Sequence, residues 1–179
     1  SEVVVAAGSF ASPKILMLSG LGPSAHLAEH GIETVVDLAG VGQNLEDHML
    51  FGVGYESLQE LGFPNLLSEA GLFTYTREQM GEASPDLQFF FGPVQFVDPE
   101  YQIDGPGFTF APILAQPLSQ GSVTLKSNNP EDLAVVEPNY FSCDTDVDVL
   151  VHGIKVARAL VNTRAFDDLR GRELAPGVD

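Results

Sequence analysis

Val3-Val4-Val5-Ala6-Ala7-Gly8-Ser9-Phe10-Ala11-Ser12-Pro13-Lys14-Ile15-Leu16-Met17-Leu18-Ser19-Gly20-Leu21-Gly22 is the stretch whose reading decides the fold. Its first six residues are β-branched or small, which reads as a strand covered on both faces, as in a parallel sheet. Gly8 at the end of that run lets another group approach the backbone closely. In open α/β sheets ligands lie just beyond the carboxyl ends of strands. Ala7, Gly8 and Ser9 are therefore candidate cofactor neighbours, although a plain strand-to-helix turn accounts for the same residues. Ser12 reads as a helix cap with Pro13 in the first turn. Ile15 to Leu18 make that helix apolar nearly all round, and Gly20, Gly22 and Pro23 end it.

Moving outward, a second short helix is expected over 24–30, with Leu27 on its core face. His26 and His30 lie four apart on it, the spacing of a helical metal pair. No third ligand accompanies them and Glu29 falls off that face, so they read as surface residues and no metal site is expected. Thr34 to Leu38 reads as another short strand. Gly40-Val41-Gly42-Gln43-Asn44-Leu45-Glu46-Asp47-His48 follows as a flexible loop with polar groups around Leu45. A carboxylate beside an imidazole invites a triad reading. Neighbours on an extended chain point opposite ways, however, and no G-x-S-x-G serine elbow is present. Gly40-Val41-Gly42 is too short for a phosphate loop and lacks the following Lys-Ser/Thr. From its residues alone the loop is architectural.

Beyond residue 50 the pattern turns to strands: Leu50–Glu56, Leu72–Thr76, Asp86–Phe91, Phe108–Leu114 and Ser122–Lys126, punctuated by Gly-Pro breaks. Leu87, Phe89 and Phe91 share one face, with Gln88 and Phe90 on the other. Val123 and Leu125 alternate inward. Pro112 marks its strand as an edge or a bulge. These runs suggest an antiparallel sheet with long connections. A helix then starts at Thr145, capped with Asp148 in support. Its expected apolar stripe is Val147, Leu150, Val151, Ile154, Ala157 and Val161. His152 lies off the stripe, and Cys143 reads as a packing residue.

Composition narrows the functions. The 179 residues are 44% hydrophobic, enough for a buried core. Twenty-five acidic against eight basic side chains leave −17, which repels phosphate and disfavours nucleic acid and anionic membranes. No apolar run approaches the roughly 20 residues that span a bilayer. One cysteine can build neither an internal disulfide nor a Cys-rich zinc site, and the compartment stays unknown. Residue 1 is Ser, the chain opens into a strand-like run, and Leu174 to Asp179 offer no closing element. These ends read as those of an internal piece of a longer protein.

Gly8 to Gly22 resembles the second signature of the glucose–methanol–choline (GMC) flavoprotein oxidoreductases. Gly40 to His48 resembles that family's G-V-G-x-N-L-x-D-H loop in full. Gly121-Ser122-Val123-Thr124-Leu125-Lys126-Ser127 through Glu137-Pro138-Asn139-Tyr140-Phe141 and Asp146 is similar to the opening of its C-terminal region. The resemblance implies an α/β plus α+β fold: the end of a Rossmann-like FAD-binding domain (1–48) joined to an antiparallel-sheet substrate domain (49–142), with 143–179 starting a helical return. It implies an FAD cofactor approached by Ala7, Gly8, Asn44, Asp47 and His48, and a substrate cavity lined by Phe89 or Phe90. The implied reaction is oxidation of an alcohol to a carbonyl by hydride transfer to flavin, with oxygen or another acceptor taking the electrons. The family's diphosphate-binding G-x-G-x-x-G has no counterpart here. Its catalytic histidine is expected downstream of Asp179, so no catalytic residue is assigned. The resemblance also leaves open a flavin-bound lyase cleaving cyanohydrins. The residues alone leave open a non-catalytic interaction module, against which stands the wet apolar surface that an isolated piece would carry. On its own the piece is expected to aggregate and to bind no FAD.

Overall fold

The computed structural model describes residues 2–77 and 84–177; Ser1, Val178 and Asp179, which entered the reading of the chain's ends, lie outside them. In chain order the elements are α1 (Gly8–Leu18), β1 (Leu21–Gly22), α2 (Ser24–Glu29), β2 (Val36–Asp37), β3 (Gln43–Leu45), β4 (Val53–Ser57), β5 (Ala70–Thr74), β6 (Leu87–Gly92), β7 (Gly107–Leu114), β8 (Gly121–Thr124), β9 (Val135–Glu137), α3 (Asp144–Val161) and β10 (Arg170–Ala175). They fall into two compact units: Ser1–Asp47 with Leu118–Cys143, and His48–Pro117 with Asp144–Asp179.

In the first unit α1 begins four residues before the expected cap, with Ala7 at its N-cap and Pro13 inside it. Ser12 caps from within: its hydroxyl accepts the Ala7 N–H at 3.0 Å. Pro13 removes one backbone bond, to the Ser9 carbonyl, near the end where such a loss is smallest. Of the Ile15–Leu18 run only Met17 is fully buried and Ile15 is exposed, so α1 packs by one stripe. Met17, Leu27 and Leu125 make the core, with Leu18, Ile32 and Val41 against it. β1 and β2 pair in parallel, and the Asp37 carboxylate accepts the first N–H of α2 from Ser24 at 3.0 Å. The expected strand at Val3–Ala7 does not form. Val3 and Val4 are exposed, and among the described residues no segment pairs with them; β-branched residues make a strand only where a neighbour takes their backbone hydrogen bonds.

The presumed loop at 43–45 is instead a strand, because β8 offers it a partner. β3, β8 and β9 form an antiparallel three-stranded sheet in that order. Residues 118–143, which linear reading placed with the sheet region, thus pack with residues 1–47. His26 corrects another expectation. It is an interior hydrogen-bond partner rather than a solvated side chain: its Nε2 accepts the N–H of buried Leu125 at 3.0 Å.

The second unit is a five-stranded antiparallel sheet in the order β10-β4-β7-β6-β5, with α3 against β7. Gly153 permits that approach, since a Cβ there would lie 2.6 Å from the Pro112 ring. The buried face of α3 is Asp146, Val149, Leu150, Gly153, Ala157 and Val161. It is rotated from the expected stripe, leaving Val147 and Val151 exposed. The helix begins at Asp144, so Thr145 lies inside it. Pro112 sits in the central strand yet costs little. Its carbonyl accepts the Phe51 N–H, and a strand residue's N–H faces the same side as its C=O. The missing N–H therefore faces the lead-in to β4, where regular pairing has ended at Val53. Phe91, Phe108, Phe110 and Phe166 form an aromatic cluster with centroids 4.8–6.5 Å apart.

Asp86, fully buried at the start of β6, ties down the turn after β5. It accepts from the Thr76 N–H (2.8 Å), the Thr76 hydroxyl (2.6 Å) and Arg77 Nε (3.0 Å). Burial pushes its pKa up, but these donors outweigh that and hold the carboxyl below its usual range. The folded state thus binds fewer protons here than the unfolded chain. The stability this adds is complete above about pH 4, the ordinary Asp value, and is lost as pH falls through the lower folded value. Denaturant melts of the full-length protein at stepped pH should show that acid limb, and Asp86→Asn should flatten it while lowering neutral-pH stability by about 2 kcal/mol.

Candidate functional site

Gly8 opens α1 at φ +82°, and a Cβ built on it would meet nothing within 4 Å. Its glycine character therefore serves the left-handed turn into the helix and leaves open the space in front of the first turn. The N–H groups of Gly8, Ser9 and Phe10 have no acceptor within the helix, the first intrahelical bond running from Ala11 to the carbonyl of the N-cap Ala7. They form the positive end of its dipole, and no acidic residue lies in the first turn. The Ala7 N–H, by contrast, is engaged by Ser12.

Beside this turn runs β3. Its register with β8 slips between Gln43 and Leu45, and Asn44 at φ +58° forms the bulge. Ser9 and Pro13 line a cavity of about 360 Å³ with Gly42 to Glu46 and Val123. Ser9 and Phe10 line a smaller one, about 160 Å³, with Leu45, Glu46, Asp47, Val136, Pro138 and Tyr140. The structure therefore brings the Gly8–Phe10 turn together with Asn44 and Asp47. His48 is exposed and begins the other unit.

A clasp that sequence reading did not assign fixes the bend. The Tyr140 hydroxyl donates to Asp47, and the Gln120 amide donates to Glu46 Oε1 at 2.9 Å. The Asn139 amide donates to the Gln120 carbonyl at 3.0 Å. Asn139 and Phe141 both adopt left-handed backbone, φ +55° and +58°, which places Tyr140 between two strained residues. The Asp47 hydrogen bond, then partial burial and the Asp47 charge, raise the phenol's pKa. The only sequence signal was the Pro-Asn-Tyr turn.

The second unit carries its own cavity of about 470 Å³, among Leu50, Phe51, Gly52, Phe96, Val97, Asp98, Tyr101, Ala175 and Pro176. Phe89 is not on its wall but in the core, 2% exposed. Phe90 is half-buried and packs edge-on to Phe96 at 5.6 Å. The aromatic side chains that line this cavity are Phe51, Phe96 and Tyr101; Phe51 opens the alternation Phe51, Val53, Tyr55 of the expected strand, whereas Phe96 and Tyr101 fall in no alternating pattern that sequence could flag.

Two family models described as GMC oxidoreductase match the chain, one at residues 1–50 and the other at 117–179. The chain belongs to the GMC oxidoreductase family. Choline oxidase of Arthrobacter globiformis is 40% identical over all of this chain and 34% of its own length. Oxygen-dependent choline dehydrogenase of Brucella canis is 37% identical over 99% of the chain and 36% of its own length. Among solved structures, an Aspergillus oryzae formate oxidase superposes with TM-score 0.82 at 26% identity, over 99% of this chain and 40% of that one. A pyridoxine 4-oxidase from Mesorbium loti gives 0.79 at 23%, over 97% and 35%, a likeness of fold. The chain thus spans about a third of the length of the curated relatives it matches. The GMC fold accounts for both regions: a Rossmann-like helical part and the antiparallel sheets joined to it.

Proposed function

We propose that this GMC chain is part of an FAD-dependent oxidoreductase that converts the CH–OH group of a small alcohol to a carbonyl, with oxygen or another acceptor reoxidising the flavin. The observation that carries the proposal is the meeting of the α1 first turn with the Asn44–Asp47 bend across a shared cavity. The residues present fit the cofactor. Open backbone N–H groups in a first turn that carries no acidic residue suit an anionic or carbonyl-rich edge; the neighbouring carboxylates of Glu46 and Asp47 are engaged by Gln120 and Tyr140, and open space over Gly8 leaves room for it. When bound, FAD supplies the hydride acceptor.

In this proposal the amides of Gly8 to Phe10 and the exposed Asn44 side chain hold the cofactor. Asp47 acts through position: Tyr140 and Gln120 fix the bend so that Asn44 needs no reordering when the cofactor binds. Ala7 contributes shape rather than a donor. His48 follows Asp47 directly and is retained as a cofactor neighbour on that ground. The proton acceptor for the alcohol is assigned to a histidine outside this chain, as the family resemblance implies. Tyr140→Phe is expected to weaken flavin retention severalfold in the full-length protein with little change in its fold. Flavin released on titration with denaturant, against the circular dichroism melt, checks this.

The test of the function is anaerobic. Full-length protein is mixed with choline, benzyl alcohol and short aliphatic alcohols. Bleaching of the oxidised-flavin absorption band by at least one of them is the expected result. A protein that purifies without flavin, or whose flavin none of them reduces, contradicts the proposal; the latter is what a lyase would do.

A further inference from the structure

We infer that the cavity of the second unit takes the neutral, apolar part of the substrate alcohol, an aryl or branched alkyl group, and not a quaternary ammonium. The inference rests on the oxidation proposed above and names its substrate class. The lining is apolar except at two points, the exposed Asp98 and Tyr101. Its volume, about 470 Å³, lies in the ordinary range for small-molecule sites.

The wall is built, not incidental. Gly52 and Gly54 let the 94–98 segment lie directly on the β4 strand. A Cβ on Gly52 would stand 2.1 Å from the Phe96 carbonyl, and one on Gly54 2.5 Å from a Val97 methyl. The buried Thr109 hydroxyl donates to the Val94 carbonyl at 2.7 Å and accepts the Phe96 N–H at 3.0 Å. The Gln95 amide donates to the carbonyls of Ile103 (3.0 Å) and Gly105 (2.8 Å), and its oxygen accepts the Ile103 N–H at 2.9 Å. Gln102 reaches the Val97 carbonyl at 3.0 Å. A segment stitched this densely still leaves Phe96 50% exposed and braced on Phe90. A rigid, exposed ring is a low-cost binding surface, because little is lost in ordering it.

Charge decides the class. A quaternary ammonium leaving water needs a carboxylate shielded from solvent or a cage of electron-rich rings. Asp98, the one charged group in the lining, stands in solvent, where an ion pair is worth little. Two of the three rings are phenylalanine, weaker cation partners than tryptophan, of which the chain has none. An uncharged ring or alkyl group gains from the same surface without a desolvation penalty.

Saturation-transfer NMR on the full-length holoprotein, with benzyl alcohol and choline as probes, tests this alongside anaerobic flavin reduction. Benzyl alcohol is expected to bind at least roughly tenfold more tightly than choline. Phe96→Ala and, independently, Phe51→Ala should each weaken it about tenfold, whereas Asp98→Asn should change it less than about twofold. Both aromatic side chains are about half exposed and neither belongs to the core cluster, so neither change threatens the core. Preferential choline binding that Asp98→Asn removes would overturn the inference. So would benzyl alcohol binding that neither aromatic substitution affects. Binding as expected without flavin reduction supports the cavity assignment and contradicts the proposed oxidation; reduction by choline alone supports the oxidation and contradicts the cavity assignment.

Discussion

Gly42→Ala should cost the full-length protein about 3 kcal/mol or more, among the largest effects of any single methyl group in this chain. Two penalties coincide there. The residue holds φ +77°, which L side chains rarely adopt. The added Cβ would also stand 2.1 Å from the Val123 carbonyl, on the strand whose Val123 N–H donates to Gly42 at 2.7 Å. The methyl cannot be relieved by a rotamer, because the obstacle is backbone. β3 and β8 must separate, and with them the bend carrying Asn44 and Asp47. Two neighbours calibrate the result. Gly8→Ala pays for its positive φ but meets open space, so about 1 kcal/mol is expected. Gly40→Ala has neither handicap and should be close to neutral. Urea titrations of the three variants, read by circular dichroism and by flavin release, give the order directly. A Gly42 variant as stable as the Gly40 variant would show that β3 and β8 are not paired as described.

The second large effect is at Arg158. Its guanidinium grips Glu173 with two nitrogens, Nε at 2.9 Å from Oε2 and Nη2 at 2.7 Å from Oε1. It also donates to the Gly177 carbonyl. The Tyr55 hydroxyl donates to the same carboxylate at 2.9 Å, and burial followed by that carboxylate drives the phenol's pKa far above its usual value. The cluster fastens α3, β10 and β4 to one another. Its partners are unequal: the Glu173 side chain is 8% exposed and that of Arg158 35%. Arg158→Ala leaves a buried carboxylate without its cation, which should cost about 2–3 kcal/mol, less than the roughly 3–5 kcal/mol of a fully buried pair because Arg158 is partly in water. Glu173→Ala frees an arginine that can turn to solvent and should cost less. The double variant should be more stable than the sum of the two predicts. Additive losses in a denaturation cycle would mean that the two side chains do not depend on each other.

These sites show what the amino-acid order discloses and what it hides. The G-V-G-x-N-L-x-D-H stretch was legible as a motif, and Leu27, Val123 and Leu125 as core. Local pattern suffices for those. Val3–Val5 read as a strand because β-branched residues favour strands, but pairing depends on a neighbour that local sequence does not reveal. β10 was missed for the opposite reason. Arg170-Gly171-Arg172-Glu173-Leu174-Ala175 shows no alternation, and it becomes a strand because β4 pairs with it and Arg158 neutralises Glu173. The stripe of α3 was placed about one position off because Gly153, not an apolar side chain, makes the closest approach to the sheet. At the candidate site Asn44 and Asp47 stood out in sequence. Tyr140 and Gln120 did not, since only the pairing of β8 with β3 brings residues more than 70 positions apart into one clasp.

Amide hydrogen exchange of the full-length protein with and without FAD tests the central claim most directly. Binding should slow exchange in peptides covering residues 8–11 and 42–48, the α1 first turn and the bulged strand with its bend. Slowed exchange elsewhere in the protein, with both of these segments unchanged, would contradict the assignment of this wall to the flavin.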